Sequence, residues 1–427
     1  LDGSLAALAQ ARALREQLLV DDPEHRTQHQ IALVHVLSET GLGKSSAGDI
    51  DGAETAFGEL LALVRALAAA QPLEARLAEA DAQDKLGGLR AMAHDDLDGS
   101  LAAHRRGIEL LEGLPDETGG GRAGLILVDN YEGAAQVLRV QRDLAGSLDY
   151  LRRGEAVLQR MAAARPADHW RVYHLAQLRI SIGRTLQGMD RGDDALAALG
   201  AARRALGELM AADADNAVWR SAYGMAGADL GDAFYHLGRN AEALTAYQDA
   251  LPIDAARAAA EPENDEMQMQ YAMNLGDLGR VQQASGQLRE AADSLRAAIA
   301  IGERIHARAP GSMYFAQILL ANLGNLAMVE DHLGDRPTAI GHSARALALA
   351  REVAGRAPSD VLSQYNFAAL AGNAGETAAR QGDRATARVR FTEAVAALEP
   401  FERSGRLPAD GVALLADLRK ALRRLPR

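Results

Sequence analysis

The chain of 427 residues carries a formal net charge of −12 and contains no cysteine. That balance argues against a nucleic-acid partner, which needs a basic stripe to displace counterions from phosphates, and the missing cysteine excludes disulfides and thiol-based metal or nucleophile chemistry. With 48% hydrophobic but only 4% aromatic residues the composition suits an all-helical chain. No apolar run approaches the roughly 18 residues of a membrane span and no signal-peptide pattern occurs, so a cytoplasmic protein without membrane insertion is expected.

Starting at Leu5, equivalent positions recur at Glu54, Leu101, Leu148, Leu196, Leu244, Ala292, Ile340 and Arg388, in steps of 49, 47 and 47 and then five of 48 residues. A fixed period of this size means one supersecondary unit stacked on copies of itself. Immediately before each of these anchors stand Ser4, Ala53, Ser100, Ser147, Ala195, Ala243, Ala291, Ala339 and Ala387, so nothing larger than Ala or Ser occurs there. Thirteen residues before the anchor runs a second small column of Gly41, Gly88, Ala135, Gly183, Gly231, Gly279, Ala327 and Gly375. Two small columns let a pair of helices cross with their backbones close, and added bulk there is expected to cost about 1–3 kcal/mol.

Taken along the chain, Leu1 to Val20 correspond to the second helix of a pair whose first helix is missing, since Leu1-Asp2-Gly3-Ser4 matches the turn Leu97-Asp98-Gly99-Ser100. A chain that starts in mid-repeat is expected to derive from a longer one. His25 and His29 are four apart on a helix but lack an intervening glutamate and a third ligand, which points to a solvated face and no metal. Ser38 to Ser45 nearly match the phosphate-binding loop G-x4-G-K-[ST] around Lys44. Ser38 replaces its first glycine, Gly41 already belongs to the small column, and no strand precedes it, so a nucleotide-binding enzyme built on residues 38–45 is the alternative rather than the leading reading. Between second and first helices, Pro23, Pro72, Pro166, Pro262, Pro310 and Pro358 fall eighteen residues after the anchors, where proline ends or starts a helix. That column lapses at Gly113 to Gly121, which marks a site for a hinge near 113–121 within a single array spanning 1–427.

Trp170, Trp219, Tyr223, Tyr271, Tyr314, Phe315, Tyr365 and Phe367 lie near the starts of first helices, where they are expected to seal the pairs. The carboxylate pairs Asp193-Asp194, Asp213/Asp215 and Glu261/Glu263 sit at turns, where acidic residues favour helix starts, and no acid/base pair has an evident reason to be perturbed. Gly238, Gly286, Gly334 and Gly382 supply left-handed residues that close first helices. Apolar residues recur at three and four, as in Ala291, Leu295, Ala298, Ile299 and Ile301, and no stretch alternates as a strand does. At the C-terminus Leu414, Leu418, Leu422 and Leu425 share one face beside Arg419 to Arg424, which suits a polar-backed capping helix over 408–425.

The columns resemble those of the tetratricopeptide repeat, clearest in Leu230-Gly231-x2-Phe234, Ala243-x3-Tyr247 and Ala250, and again in Ala387-x3-Phe391 and Ala394. The period of 48 exceeds the usual ~34, and the late proline lengthens each helix by about two turns, to about 20 residues or roughly 30 Å. The resemblance covers essentially the whole chain. It implies a right-handed α-solenoid of antiparallel pairs, about eight pairs plus flanking helices, and a peptide-binding groove. Its groove-facing slots correspond to Met225, Asp232, Tyr235 and His236 in one unit. The next supplies Met273, Gly276, Arg280 and Gln283, and the one after it Gly324, Met328, Asp331 and His332. Small residues at Ala228, Gly276, Gly324 and Gly372 either leave that groove open or ease packing of adjacent first helices. The lysine and asparagine clamp of some members is not reproduced, as its first slot carries lysine only at Lys85. Alanine-rich arrays of this kind resemble the C-terminal regions of bacterial multidomain proteins such as Ser/Thr protein kinases, although this chain holds neither a His-Arg-Asp nor an Asp-Phe-Gly signature. The expectation is a non-catalytic scaffold with no cofactor, binding a protein or peptide segment as the regulatory region of a larger signalling protein, with any catalytic domain upstream.

Overall fold

The computed structural model describes residues 2–93 and 96–425, and among these it holds eighteen α-helices and no strand. Contacts group the chain into two compact units, Leu1–Asp229 and Leu230–Arg427. In the first, α1 (Asp2–Asp21) precedes the pairs α2 (Arg26–Ser46) with α3 (Ile50–Leu67), α4 (Pro72–Ala93) with α5 (Leu97–Leu111), α6 (Arg122–Val140) with α7 (Leu144–Ala164), and α8 (His169–Gly188) with α9 (Gly192–Ala212). The division falls inside α10 (Ala217–His236). The second unit continues with α11 (Asn240–Ala260), α12 (Asp265–Ala284) with α13 (Leu288–Arg308), α14 (Met313–His332) with α15 (Arg336–Arg356), α16 (Val361–Arg380) with α17 (Arg384–Arg403), and α18 (Ala409–Arg424).

A short turn of one kind joins most of the pairs. Gly48, Gly238, Gly286, Gly334 and Gly382 take φ between +71° and +87°, a left-handed conformation that ends one helix without a Cβ clash. The next residue often caps the following helix. The carboxylates of Asp49, Asp96, Asp143 and Asp383 accept the backbone N–H three residues on, at 2.9–3.0 Å. Each such cap stabilises its helix by about 1 kcal/mol. Among the described residues, two turns put a side chain where Gly48, Gly238, Gly286, Gly334 and Gly382 stand in others, Arg142 at φ 67° and Asp190 at φ 57°. Replacing the exposed Arg142 with glycine should therefore raise stability by roughly 0.5 kcal/mol, the relief of left-handed strain less glycine's greater unfolded-state freedom. A thermal melt should show a gain of about 1–2 °C, and a lower melting temperature would contradict this account of the turn.

Within the pairs, the small columns do what close crossing requires. Phe57, Leu199, Tyr247, Leu295 and Phe391 pack against Gly41, Gly183, Gly231, Gly279 and Gly375, and a Cβ at any of these glycines would meet the facing side chain at 2.5–2.9 Å. Ala53, Ala195, Ala243, Ala291 and Ala387 are fully buried beside them. The α4–α5 pair departs by one residue. Its turn is longer, with Asp96 N bonding Arg90 O six residues back where Asp49 and Asp143 reach back five. The register of α4 slides accordingly, so Gly87 takes the packing position, where a Cβ would come within 2.5 Å of His104, while a Cβ on Gly88 would meet nothing within 4 Å. The column position assigned to Gly88 is thus corrected to Gly87.

Residues 112–121 replace the end of a second helix. Helix α5 has 15 residues where α7 and α9 have 21, a deficit of nearly two turns. The connection turns on Gly113, Gly119, Gly120 and Gly121, all at positive φ. It is tied to its neighbours by Arg160 on Asp116 at 2.7 Å and by the buried Arg171 on Glu117 and on Met161 O.

Candidate protein-interaction surface

In the second unit the first helices bring several of the anticipated groove residues together. Asp232 and Arg280 stand one period apart in sequence, on α10 and α12, and face each other at 3.7 Å. Arg280 also binds Asp277 on its own helix at 2.5 Å, and its guanidinium lies 5.3 Å from the Tyr235 ring centre. Tyr247 donates its hydroxyl to Asp232 at 2.7 Å from the adjoining second helix. Burial, reinforced by the charge of Asp232, lifts the Asp277 carboxyl to about 6 against the opposing pull of Arg280. One guanidinium thus serves two carboxylates. Further along α12, Met273 Sδ accepts from Tyr314 of α14 at 3.3 Å.

The remaining anticipated residues are placed differently. Gly276 is not open: the Asn322 side chain of α14 occupies the space a Cβ would need, at 2.1 Å, so this glycine eases helix packing. Around Gly324 there is room, the nearest atom being Leu370 Cδ2 at 4.0 Å. Met328, Asp331, His236 and His332 are exposed, and Gln283 is half-buried. Met225 belongs to the first unit. Of the aromatics, Trp219 is buried, whereas Trp170 is 52% exposed and packs edge-on against Tyr173 instead of sealing the pair.

The phosphate-loop alternative is overturned by conformation. Residues 38–45 lie wholly inside α2, Gly41 packs on the Phe57 ring, and Lys44 pairs with Asp49 at 3.2 Å. Backbone N–H groups committed to a helix cannot cradle phosphates. His25 and His29 both turn to Asp22, at 2.9 and 3.1 Å.

The first unit holds a second polar cluster. Asp81, Asp84 and Lys85 of α4, His104 of α5, and Asp129 and Glu132 of α6 converge, with Lys85 Nζ 2.8 Å from Asp84 and 3.8 Å from Asp81. Burial raises Asp129 to about 6 and Glu132 to about 7, each pushed further by the other carboxylates. Burial also lifts Asp81; at Asp84 it is outweighed by His104 and Lys85, which hold that carboxyl below its usual range. The expectation that no acid is perturbed is therefore corrected. Among the described residues, neither Asp129 nor Glu132 has a hydrogen-bond or ion-pair partner. His104 takes the position that Phe57, Leu199 or Tyr247 holds in other pairs. Its ring is clamped between Gly87 and Gly133, where Cβ atoms would approach to 2.5 and 2.1 Å.

No protein-family model matches the sequence, and no curated protein does. Solved structures match by fold: the apo form of RapI, at 14% identity and TM-score 0.53, over 92% of this chain and 99% of that one. The apo form of the quorum sensor NprR from B. thuringiensis matches at 12% identity and TM-score 0.51, over 94% and 100%. A signal transduction ATPase with a tetratricopeptide repeat sensor from Pyrococcus horikoshii matches at 11% identity and TM-score 0.52, over 93% of this chain and 51% of that one. The chain is a tetratricopeptide-like repeat solenoid.

In such a solenoid, residues one period apart stack on neighbouring first helices. Asp81 with Asp129 and Asp84 with Glu132 are each separated by 48, the repeat length itself. Like charges recurring at one period are thus a sequence signal for a charged face. Where α5 ends early, a cleft of about 530 Å³ is lined by Leu114, Leu127, Tyr131, Arg153 and Arg160. Its two arginines are already engaged by Glu112 and Asp116, so it offers no unmatched charge.

Proposed function

We propose that the solenoid is a non-catalytic interaction scaffold that binds a protein or peptide segment against its first helices. The observation that supports this best is the composition of that face in the second unit. Tyr235, Met273 and Arg280 are half-buried and Met328 is exposed on that face. Aromatic, methionine and arginine side chains are enriched where proteins bind one another. Two of the similarly folded chains are described as a quorum sensor and as carrying a repeat sensor, which fits a recognition role. We read the chain further as a cytoplasmic regulatory region of a larger bacterial signalling protein of the Ser/Thr kinase-like kind, without a nucleic-acid partner. No described helix is long and apolar enough to cross a membrane.

A peptide library panned against the whole chain tests the groove. Binders should lose about ten-fold or more in affinity with Tyr235→Ala and Met273→Ala combined, a loss on the scale of two interface anchors, while helicity is kept. Undiminished affinity would refute the groove formed by α10, α12 and α14.

A further inference from the structure

We infer that the cleft where α5 ends early receives an acidic segment of a partner protein, and that residues 112–116 hold its place in the free chain. This rests on the interaction reading above and adds a second surface, with a partner of stated charge. The strap of residues 112–117 carries three acids, and each meets an arginine of the next pair. Glu112 meets Arg153, Asp116 meets Arg160 at 2.7 Å, and Glu117 meets Arg165 at 2.9 Å and the buried Arg171. Arg153 and Arg160 stand seven residues apart on α7 with Ala156 and Val157 between them, so all four share one face of the helix. The Arg153 guanidinium also lies 4.8 Å from the Tyr131 ring centre and 5.4 Å from that of Tyr150. Two rings thus hold this cation in place whether or not a carboxylate is present.

The strap matches the charges of α7 without filling the space beside them. About 530 Å³ stays open between Leu114 on the strap and Leu127, Tyr131 and Val157 opposite, a volume within the range of binding sites. The strap is also held unevenly. Its Glu117 end is fixed, because Arg171 is 4% exposed and donates to Met161 O as well. At the other end Glu112 and Arg160 are exposed and Arg153 is half-buried, and ion pairs open to water are weak. Gly113, at φ 87°, lets the backbone turn there. Carboxylates of a partner can therefore replace Glu112 and Asp116 on Arg153 and Arg160 while Glu117 stays anchored, and an apolar side chain between them fills the space over Val157.

The test uses the whole chain and a decapeptide of four glutamates around two leucines, with a counterpart carrying glutamine in place of glutamate, at low salt and pH 7.5. A chain of net charge −12 repels the acidic peptide overall, so any preference for it has to come from a local cation. Glu112→Gln with Asp116→Asn empties the two arginines, and this strap variant should bind the glutamate peptide about ten-fold more tightly than the parent, with a steep salt dependence. Its affinity for the glutamine peptide should not change, which separates a vacated site from a damaged fold. Arg153→Gln with Arg160→Gln should bind the glutamate peptide no better than the glutamine peptide while keeping its helicity. Equal affinity of parent and strap variant for the glutamate peptide would overturn the inference, as would an arginine variant that keeps the preference. If Tyr235→Ala with Met273→Ala removes the binding and the arginine variant does not, the cleft is refuted while the scaffold reading stands.

Discussion

Gly231→Val should lower stability by about 3 kcal/mol, the upper part of the range for overpacking a filled core. The first added atom, Cβ, would stand 2.6 Å from Cε2 of the Tyr247 ring. That ring is fully buried, and its hydroxyl donates to Asp232 at 2.7 Å. It therefore cannot swing aside without losing both its packing and a hydrogen bond, and the two methyls of valine deepen the overlap. The better helix propensity of valine relative to glycine returns only a few tenths of a kcal/mol. The columns suggest the remedy: aromatic Phe57, Tyr247 and Phe391 all stand against glycine, whereas the α6–α7 pair has Ala135 and Leu151 in the same two positions. Gly231→Ala combined with Tyr247→Leu should accordingly fall within about 1 kcal/mol of the parent, the residue being the hydroxyl that Asp232 loses. Urea unfolding followed by circular dichroism measures both. A tolerated valine, or a double variant as damaged as the single, would show that the glycine column does not set the crossing distance.

The readable parts of the fold are those that repeat. The anchor spacing, the small columns, the prolines and the left-handed glycines are local demands imposed identically on every unit, so one sequence contains many samples of the same constraint. The slip of α4 could not be read, because the longer turn before Asp96 is hidden inside a step of 47 that looks like its neighbour. The groove was legible in part. The stacking of Asp232 on Arg280 follows from their separation by one period, but the filling of Gly276 depends on which rotamer Asn322 adopts on the next helix. The cluster around Asp129 and Glu132 was legible in principle as acids recurring at 48. What sequence alone does not reveal is that burial accompanies the recurrence, since that depends on α4 and α5 closing over α6 with His104 as the wedge.

The second large effect concerns that cluster and pH. Glu132 is lifted from 4.5 to about 7 and Asp129 from 3.8 to about 6, in both cases chiefly by burial and then by the neighbouring carboxylates. A carboxyl whose folded value lies above its unfolded value binds more protons in the folded state, so stability falls as pH rises through the interval between the two. For Glu132 that interval runs from about 4.5 to about 7, and at about 1.4 kcal/mol per unit it amounts to about 3 kcal/mol. Asp129 titrates against the same charges, so the two do not simply add. Opposing them are Asp22, held low by His25 and His29, and Asp49, held low by the Gly52 N–H and Lys44, whose stabilisation is lost only as pH falls toward and below 4, and His174, which burial holds low so that its smaller contribution rises with pH. The first unit should therefore be most stable near pH 5 and weaken steadily to pH 8. Both tryptophans, Trp170 and Trp219, lie in that unit, so their fluorescence in urea titrations at pH 5, 6, 7 and 8 reports it. Asp129→Asn with Glu132→Gln should flatten the profile by raising stability at pH 8 while changing little at pH 5. A parent profile that rises from pH 5 to 8, or a variant that keeps the parent's slope, would mean these carboxylates find a partner in the free chain.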